Sequence, residues 1–452
     1  MKIVIAGAGK VGYTIAARLC HDGHDITLID DDRSHLDQAA NAMDVMGCCG
    51  NCAAPSVLKE AEAGAADVFI AATGNDEANL VACQFARQMG ARHTIARLRN
   101  PEYLESAETL KSIMDLNLVI NPDHVTAVEI SRVLQFPAAM QVDAFPDSGL
   151  EIVTFRVSET GKLHGVKLAD LAKRFGQKVL VCAVEHEDQV LIPDGSYVIR
   201  PGDNISLTGA PRALRKFFIS AGAWQKPVRN VIILGGSRVA EHLTLLLEST
   251  GVGVTVIESN LERCQALAEK LRTADIVNAD GADTSVLQES GLAEADGFVA
   301  LTGYDEDNII LSMYAHKEGV EKVVSKVNND KFIELLHSVF PDTTISPKNL
   351  VAEQIEGYVR SLDHASDMST IEALYYLGDQ KVTATEFLVG AGSACVGKSL
   401  AELKLKPGVL FAAVTRHGKS QLPDGKTVLQ TGDKAVVVTA GVTVMQLDDI
   451  LR

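Results

Sequence analysis

Residues 2–12, KIVIAGAGKVG, return at 230–240 as NVIILGGSRVA, and the echo continues down the chain. ITLIDDD at 26–32 matches VTVIESN at 254–260, and AADVFIAATGNDEANLVACQFARQMG at 65–90 matches EADGFVALTGYDEDNIILSMYAHKEG at 294–319. A separation of about 228 residues also links LIPDGSYVIRPGDNISL, 191–207, to QLPDGKTVLQTGDKAVV, 421–437, segments unlike the glycine-rich opening. The chain is therefore a duplication, and each half holds two unlike units. Their expected limits are 1–135 and 139–222 in the first half, then 228–363 and 368–452 in the second. With 452 residues to distribute, several cores are expected, since a single core stops growing near about 250 to 300 residues.

The larger unit alternates short β-branched runs with amphipathic stretches. KIVIAG reads as a buried strand, Val11 to His21 as a helix, DITLID as a second strand, and DVFIAAT as a later strand followed by a helix from Glu77 to Met89. Strands separated by helices imply βαβ crossovers and a parallel sheet, a Rossmann-like doubly wound domain. Asn121-Pro122 and Ser346-Pro347 each set a capping side chain before proline, a favoured helix start. Val125, Val128 and Val133, and Leu350, Val351, Ile355 and Val359, give these two helices one apolar face that must pack either on its own sheet or on another domain. The smaller unit is a strand-rich α+β domain, with LEIVTFRV, KVLVCAVEH, QVLIPDG and DNISLTG as strands and one short helix at Leu168 to Arg174. The fold class is thus α/β, a tandem duplication of a large parallel-sheet domain followed by a small strand-rich one.

Composition excludes several functions. Asp and Glu total 59 against 42 Lys and Arg, a formal charge of -17, so the chain lacks the basic footprint that nucleic acid requires. No apolar run reaches the ~18 residues of a membrane span. The eight cysteines are scattered in a pattern of reduced thiols, and Cys48, Cys49 and Cys52 lack the further ligands of a metal site. No metal is expected. Neither a His-Glu-x-x-His pair nor a Gly-x-Ser-x-Gly elbow is present.

The chemistry that remains is nucleotide binding. Gly7-Ala8-Gly9-Lys10-Val11-Gly12 lies between the first strand and the first helix. Gly7 permits the tight turn, Gly9 lets backbone approach a pyrophosphate, and Gly12 allows helix to pack on strand. Phosphate oxygens would meet the free N–H groups of the helix start. Asp30 ends the second strand, where a carboxylate binds ribose hydroxyls and favours an unphosphorylated ribose. Thr73-Gly74 follows a later strand and faces the same crevice, either as a ligand contact or as a turn capping the next helix. Arg97 ends the strand TIAR, as a phosphate partner or as a surface charge. The second copy keeps Gly235, Glu258, Thr302 and Gly303, whereas Gly9 becomes Ser237, Gly12 becomes Ala240 and Arg97 becomes Lys326. A serine side chain narrows the approach to pyrophosphate, so the second crevice is expected to bind more weakly than the first.

Gly392 to Ser399, GSACVGKS, fits the phosphate-loop pattern letter for letter. Its place in the small strand-rich unit, with GKLHGVK as its repeat counterpart, makes it instead a turn before a short helix, Leu400 to Leu403.

Taken together, GAGKVG with Asp30, AATGNDEAN with its counterpart ALTGYDEDN, and the two PDG-bearing small units follow one another in an order that resembles the TrkA family, the cytoplasmic regulatory subunits of bacterial Trk potassium uptake systems built from two RCK, or KTN, modules. The resemblance covers essentially the whole chain. It implies large domains that bind NAD(H), or ADP and ATP as regulatory ligands, through Gly7 to Val11, Asp30, Thr73, Gly74 and Arg97 in one module and Gly235, Glu258, Thr302 and Gly303 in the other. It also implies a homo-oligomer formed through the large domains, at the inner face of the cell membrane, controlling a transmembrane potassium transporter subunit (TrkH/TrkG-like). The residues agree with a regulator that is not an enzyme. An NAD-dependent oxidoreductase, the alternative, requires an acid, base or metal beside the nicotinamide, and neither small unit carries such a set.

Overall fold

The computed structural model describes residues 1–135, 139–144, 150–159, 161–186, 189–222, 228–333, 343–363, 369–377, 382–442, 444 and 446–452. The stretches expected to join the units, 136–138, 223–227 and 364–367, and residue 368, lie outside the described residues.

The first large domain is a six-stranded parallel sheet: β1 Lys2–Ala6, β2 Asp25–Asp30, β3 Met46–Cys49, β4 Val68–Ala71, β5 His93–Arg97 and β6 Leu118–Ile120. The spatial order β3-β2-β1-β4-β5-β6 places a topological switch between β1 and β4, where a crevice opens at the carboxyl ends of the strands. Helices cover both faces, which is why β1 and β4 read as unbroken apolar runs. The second large domain repeats the order with strands Asn230–Leu234, Gly253–Glu258, Asp275–Asn278, Gly297–Ala300, Lys322–Lys326 and Thr343–Ile345.

The helices that flank the crevices or join the two large domains include α1 Lys10–His21, α2 Asp76–Met89, α3 Pro122–Gln135, α4 Arg238–Ser249, α5 Asp305–Lys317 and α6 Pro347–Asp363. In α2, the Asn75 carboxamide accepts the Ala78 N–H at 2.7 Å, Asp76 and Glu77 face the positive end of the dipole, and Gly90 stops the helix at φ +123°. Asn121 caps α3 likewise, accepting the His124 N–H at 2.9 Å, whereas the buried Ser346 hydroxyl ahead of α6 has no partner.

The crossover helices α3 and α6 are exchanged between the large domains. Ala127, Ile130, Val133 and Leu134 of α3 are buried in the second domain's core beside Val231, Ile233, Leu243 and Leu247. Val351, Ala352, Ile355 and Val359 of α6 are buried in the first domain's core beside Ile3, Ile5, Ile15 and Leu19. The larger part of each apolar face takes the other domain, while Val125 and Leu350, near the helix starts, pack on the core of their own. Ion pairs fasten the second exchange: Arg18 reaches Glu353 at 2.9 Å and Glu356 at 3.1 Å, and Arg360 reaches Asp22 at 2.7 Å.

Each small domain is a five-stranded antiparallel sheet. The four expected strands appear at Glu151–Arg156, Leu180–His186, Gln189–Leu191 and Asn204–Gly209, joined by an edge strand Ala139–Ala144 that the pattern did not signal. The helix expected at Leu168 to Arg174 begins as one 3-10 turn and becomes α-helical over Leu171–Phe175. Ile152, Cys182 and Ala183 share one buried cluster with Ala384, Ala412, Val436 and Val438, so the small domains also pack together.

Candidate functional site

The glycine loop leaves β1 through Gly7, whose φ of +102° is open to glycine and whose N–H donates to the Ile29 carbonyl at 2.7 Å. A Cβ on Gly7 would stand 2.9 Å from the Thr73 backbone nitrogen, so the β1 and β4 loops touch here. A Cβ on Gly12 would stand 1.8 Å from the Gly7 carbonyl oxygen, which accounts for glycine in the first turn of α1. Gly9 occupies the N-cap with open space before it, and α1 has neither a side-chain cap nor an acid in its first turn. Its leading N–H groups are therefore available to an anion. Ala8 is buried, Val11 packs against the core and Lys10 is exposed.

Asp30 ends β2 beside this loop. Its carboxylate accepts the Ala8 N–H at 2.6 Å and the Asp32 N–H at 2.9 Å, with His35 Nδ1 at 3.2 Å. Opposite, Thr73 and Gly74 form the β4 turn, held by a residue that reasoning from spacing passes over. Asn79 is fully buried, accepts the Thr73 N–H and hydroxyl at 3.0 and 2.6 Å, and donates to the Arg97 carbonyl at 2.8 Å. Asn308 makes the same set with Thr302 and Lys326. The signal was available, because both repeated strings, AATGNDEAN and ALTGYDEDN, end on this asparagine. Replacing Asn79 by leucine should cost about 1 to 3 kcal/mol of stability, through unpaired Thr73 groups left inside, and equilibrium unfolding measures it. An unchanged midpoint would show that Thr73 finds other partners.

Arg97 ends β5 beside the Thr73 turn. Its Nη1 donates to the Thr73 carbonyl at 2.6 Å, while Nε is buried without a partner. Burial, and then the neighbouring Arg99, push its pKa below the usual arginine value. Asp123 and Asp76 oppose the shift, but among the described residues no carboxylate forms an ion pair with it. Lys326 is buried in the same way, its pKa lowered by burial, but its Nζ lies 3.2 Å from the Leu301 carbonyl, one residue before the counterpart of Thr73.

The second crevice is a cavity of about 500 Å³ lined by Gly235, Gly236, Ser237, Glu258, Arg263, Thr302, Gly303 and Tyr304 among others. Gly235 keeps the left-handed turn at φ +94°, and Glu258 accepts the Gly236 N–H at 2.7 Å. Two differences follow from the sequence. The Ser237 hydroxyl accepts the Ala240 N–H at 3.4 Å, so the helix start that α1 leaves open is capped by the protein itself. Arg263 stands where the first copy has His35, and binds the Gly236 and Ser237 carbonyls and Glu241. The floor keeps its volume by exchange, since a Cβ on Gly281 would stand 1.9 Å from Leu234, and the first copy pairs Cys52 with Ala6 at these positions. Among the described residues no three His, Cys, Asp or Glu side chains group as a metal site.

The GSACVGKS segment does not lead into a helix. Leu400 and Ala401 donate their N–H groups to Thr427 and Gly425, so the backbone is spent on the PDG loop and Leu400 to Leu403 is a turn. Ser393 and Ala394 bind Asp448, at 2.5 and 2.9 Å, where a phosphate loop would present those groups to a nucleotide.

Sequence comparison decides the family. The TrkA-N domain matches residues 3–122 and 231–347, and the TrkA-C domain matches 152–218 and 384–452. The chain belongs to the TrkA family. It is 29% identical to the Trk system potassium uptake protein TrkA homolog of Archaeoglobus fulgidus over the full length of both. It is also 29% identical to the Trk system potassium uptake protein TrkA of Vibrio alginolyticus, over 97% of this chain and 95% of that one. Among solved structures, the GsuK channel bound to NAD superposes with a TM-score of 0.63 at 18% identity, over 97% of this chain and 77% of that chain. The GsuK RCK domain gives 0.64 at 18%, covering 97% and 92%. This likeness shows that the tandem large and small domains have the RCK fold.

Proposed function

We propose that the chain is a regulatory subunit whose two crevices bind NAD(H) or adenine nucleotides and whose large domains pass the bound state to a transmembrane potassium-translocating partner. The observation that carries this reading is the exchange of α3 and α6. Each crevice sits in a domain whose core is completed by a helix from the other, so a ligand that alters one domain acts on both. In the first crevice the open start of α1, the Asp30 carboxylate and the orphaned Arg97 Nε suit a pyrophosphate-linked nucleotide. Gly7, Ala8, Gly9, Lys10, Val11, Gly12, Thr73 and Gly74 complete that site. Gly235, Glu258, Thr302 and Gly303 form its counterpart, which binds less tightly because Ser237 occupies the helix start. The working units are 1–135, 139–222, 228–363 and 368–452.

The names of the relatives support potassium uptake as the process served, and the NAD-bound GsuK channel supports the choice of ligand. No described helix is long and apolar enough to cross a membrane, so the partner supplies the pore. Val81 and Phe85 on α2, and Ile310 and Met313 on α5, are exposed, and they offer the large domains a surface for a homo-oligomer at the inner face of the membrane. Nothing need be oxidised or hydrolysed. A nucleotide that binds one arrangement about 100-fold better shifts the equilibrium by roughly 2.7 kcal/mol. Reconstituting the transporter with this chain, and varying NAD(H), ADP and ATP at a fixed potassium gradient, should change flux. Flux indifferent to the chain and to every nucleotide, with the complex verified, would overturn the proposal.

A further inference from the structure

The two joints made by the exchanged helices are not alike. Where α6 meets α1, polar residues Arg18, Asp22, Glu353, Glu356 and Arg360 form ion pairs. Where α3 meets α4, the contact is largely apolar except at one end, where His124 and His242 stand edge to face with ring centroids 5.6 Å apart and planes at 83°. The repeat puts Asn349 and Thr14 at the matching positions of the other joint, so the histidine contact exists once.

Among the described residues no carboxylate is bonded to either imidazole. The Nε2 of His242 is buried with no hydrogen-bond partner. The charges around the pair are committed elsewhere: Asp123 to Arg99 at 2.9 Å, and Glu241 to Arg263 and Lys270 at 2.8 and 2.7 Å. Arg238 is directed to the Arg99 carbonyl, and Lys326 to that of Leu301. Burial lowers the pKa of His124, and burial followed by His124 itself lowers that of His242. Glu241 and Asp123 oppose the shift without cancelling it. The contact therefore favours the neutral form of each ring, and a proton added to either must be accommodated in a half-buried contact beside a second ring.

We propose that His124 and His242 form a proton-operated latch on one of the two joints between the nucleotide-binding domains, shut when both rings are neutral and loosened when either is protonated. The sign follows from linkage. A histidine whose pKa is depressed in the shut joint takes up protons more readily once the joint opens, so the shut form loses ground as pH falls below about 6.5. Glu129, further along α3, acts in the opposite sense. Burial pushes its pKa up to about 7, so acid neutralises a buried charge there. A comparison between variants, rather than pH alone, isolates the histidines.

Amide hydrogen exchange on the full chain at about pH 7.5 and about pH 5.5, corrected for the intrinsic pH dependence, provides the test. Amides of α3 and α4 should exchange several-fold faster at the lower pH. In the double variant His124→Asn, His242→Thr, which carries the residues of the other joint, most of that acceleration should vanish. Equal acceleration in both proteins, or none in the wild type, would overturn the latch. Should the variant fold poorly, imidazole NMR of the wild-type chain decides: both rings must titrate below the ordinary value of about 6.5, and titration at or above it overturns the proposal.

Discussion

Replacing Ile355 by alanine should destabilise a domain whose first strand lies more than 300 positions away in the sequence. Ile355 is 2% exposed and packs with Ile3, Ile15 and Leu19 of the first large domain, though it belongs to α6. Truncating a buried isoleucine costs about 2 to 5 kcal/mol. Denaturant unfolding followed by hydrogen exchange should show the loss in β1 and α1 at least as strongly as in the sheet that precedes α6. A loss confined to the second half would mean that the exchanged packing does not govern stability. The same contact argues against studying halves of the chain separately. A fragment ending at residue 222 would lack α6 and expose the face that Val351, Ile355 and Val359 cover.

In the intact chain, Asp30→Ala should weaken NAD(H) binding by about 1.5 to 3 kcal/mol, the scale of hydrogen bonds to a charged group. Glu258→Ala should remove a smaller part of the total heat, because Ser237 already occupies the helix start of the second site. Calorimetry is the measurement, with unfolding midpoints as control, since Asp30 also receives the Ala8 and Asp32 N–H groups. Unchanged affinity in a folded Asp30→Ala protein would remove Asp30 from the ribose contact. Equal losses in the two variants would remove the inequality of the sites.

Much of this geometry was legible in the sequence because it is local. Gly12 and Asp30 each answer a steric or charge requirement within one βαβ unit, Gly7 supplies the left-handed turn that opens it, and spacing alone locates all three. The apolar faces of α3 and α6 were legible too, but periodicity reports only that a face is buried, and Ile130 and Ile355 carry no mark of which domain receives them. Asn79 was missed for another reason: its side chain bonds to groups six and eighteen residues away, and the turn it holds was read through Thr73 and Gly74. Arg263 left no trace, since the first copy has His35 in its place and the repeat could not point to it. Leu400 to Leu403 was misread because its backbone donors are taken by Thr427 and Gly425, partners that no short window contains.

The fusion of two modules into one chain also changes what can be inherited. In a dimer of identical copies, any substitution near the shared helices appears on both sides at once. Here α3 and α6 are separate stretches of sequence, so one junction has come to hold facing histidines and the other a set of arginine and glutamate pairs. On the proposed reading of two nucleotide sites, the two half-loaded forms of such a molecule are different species, because the junction beside each crevice differs.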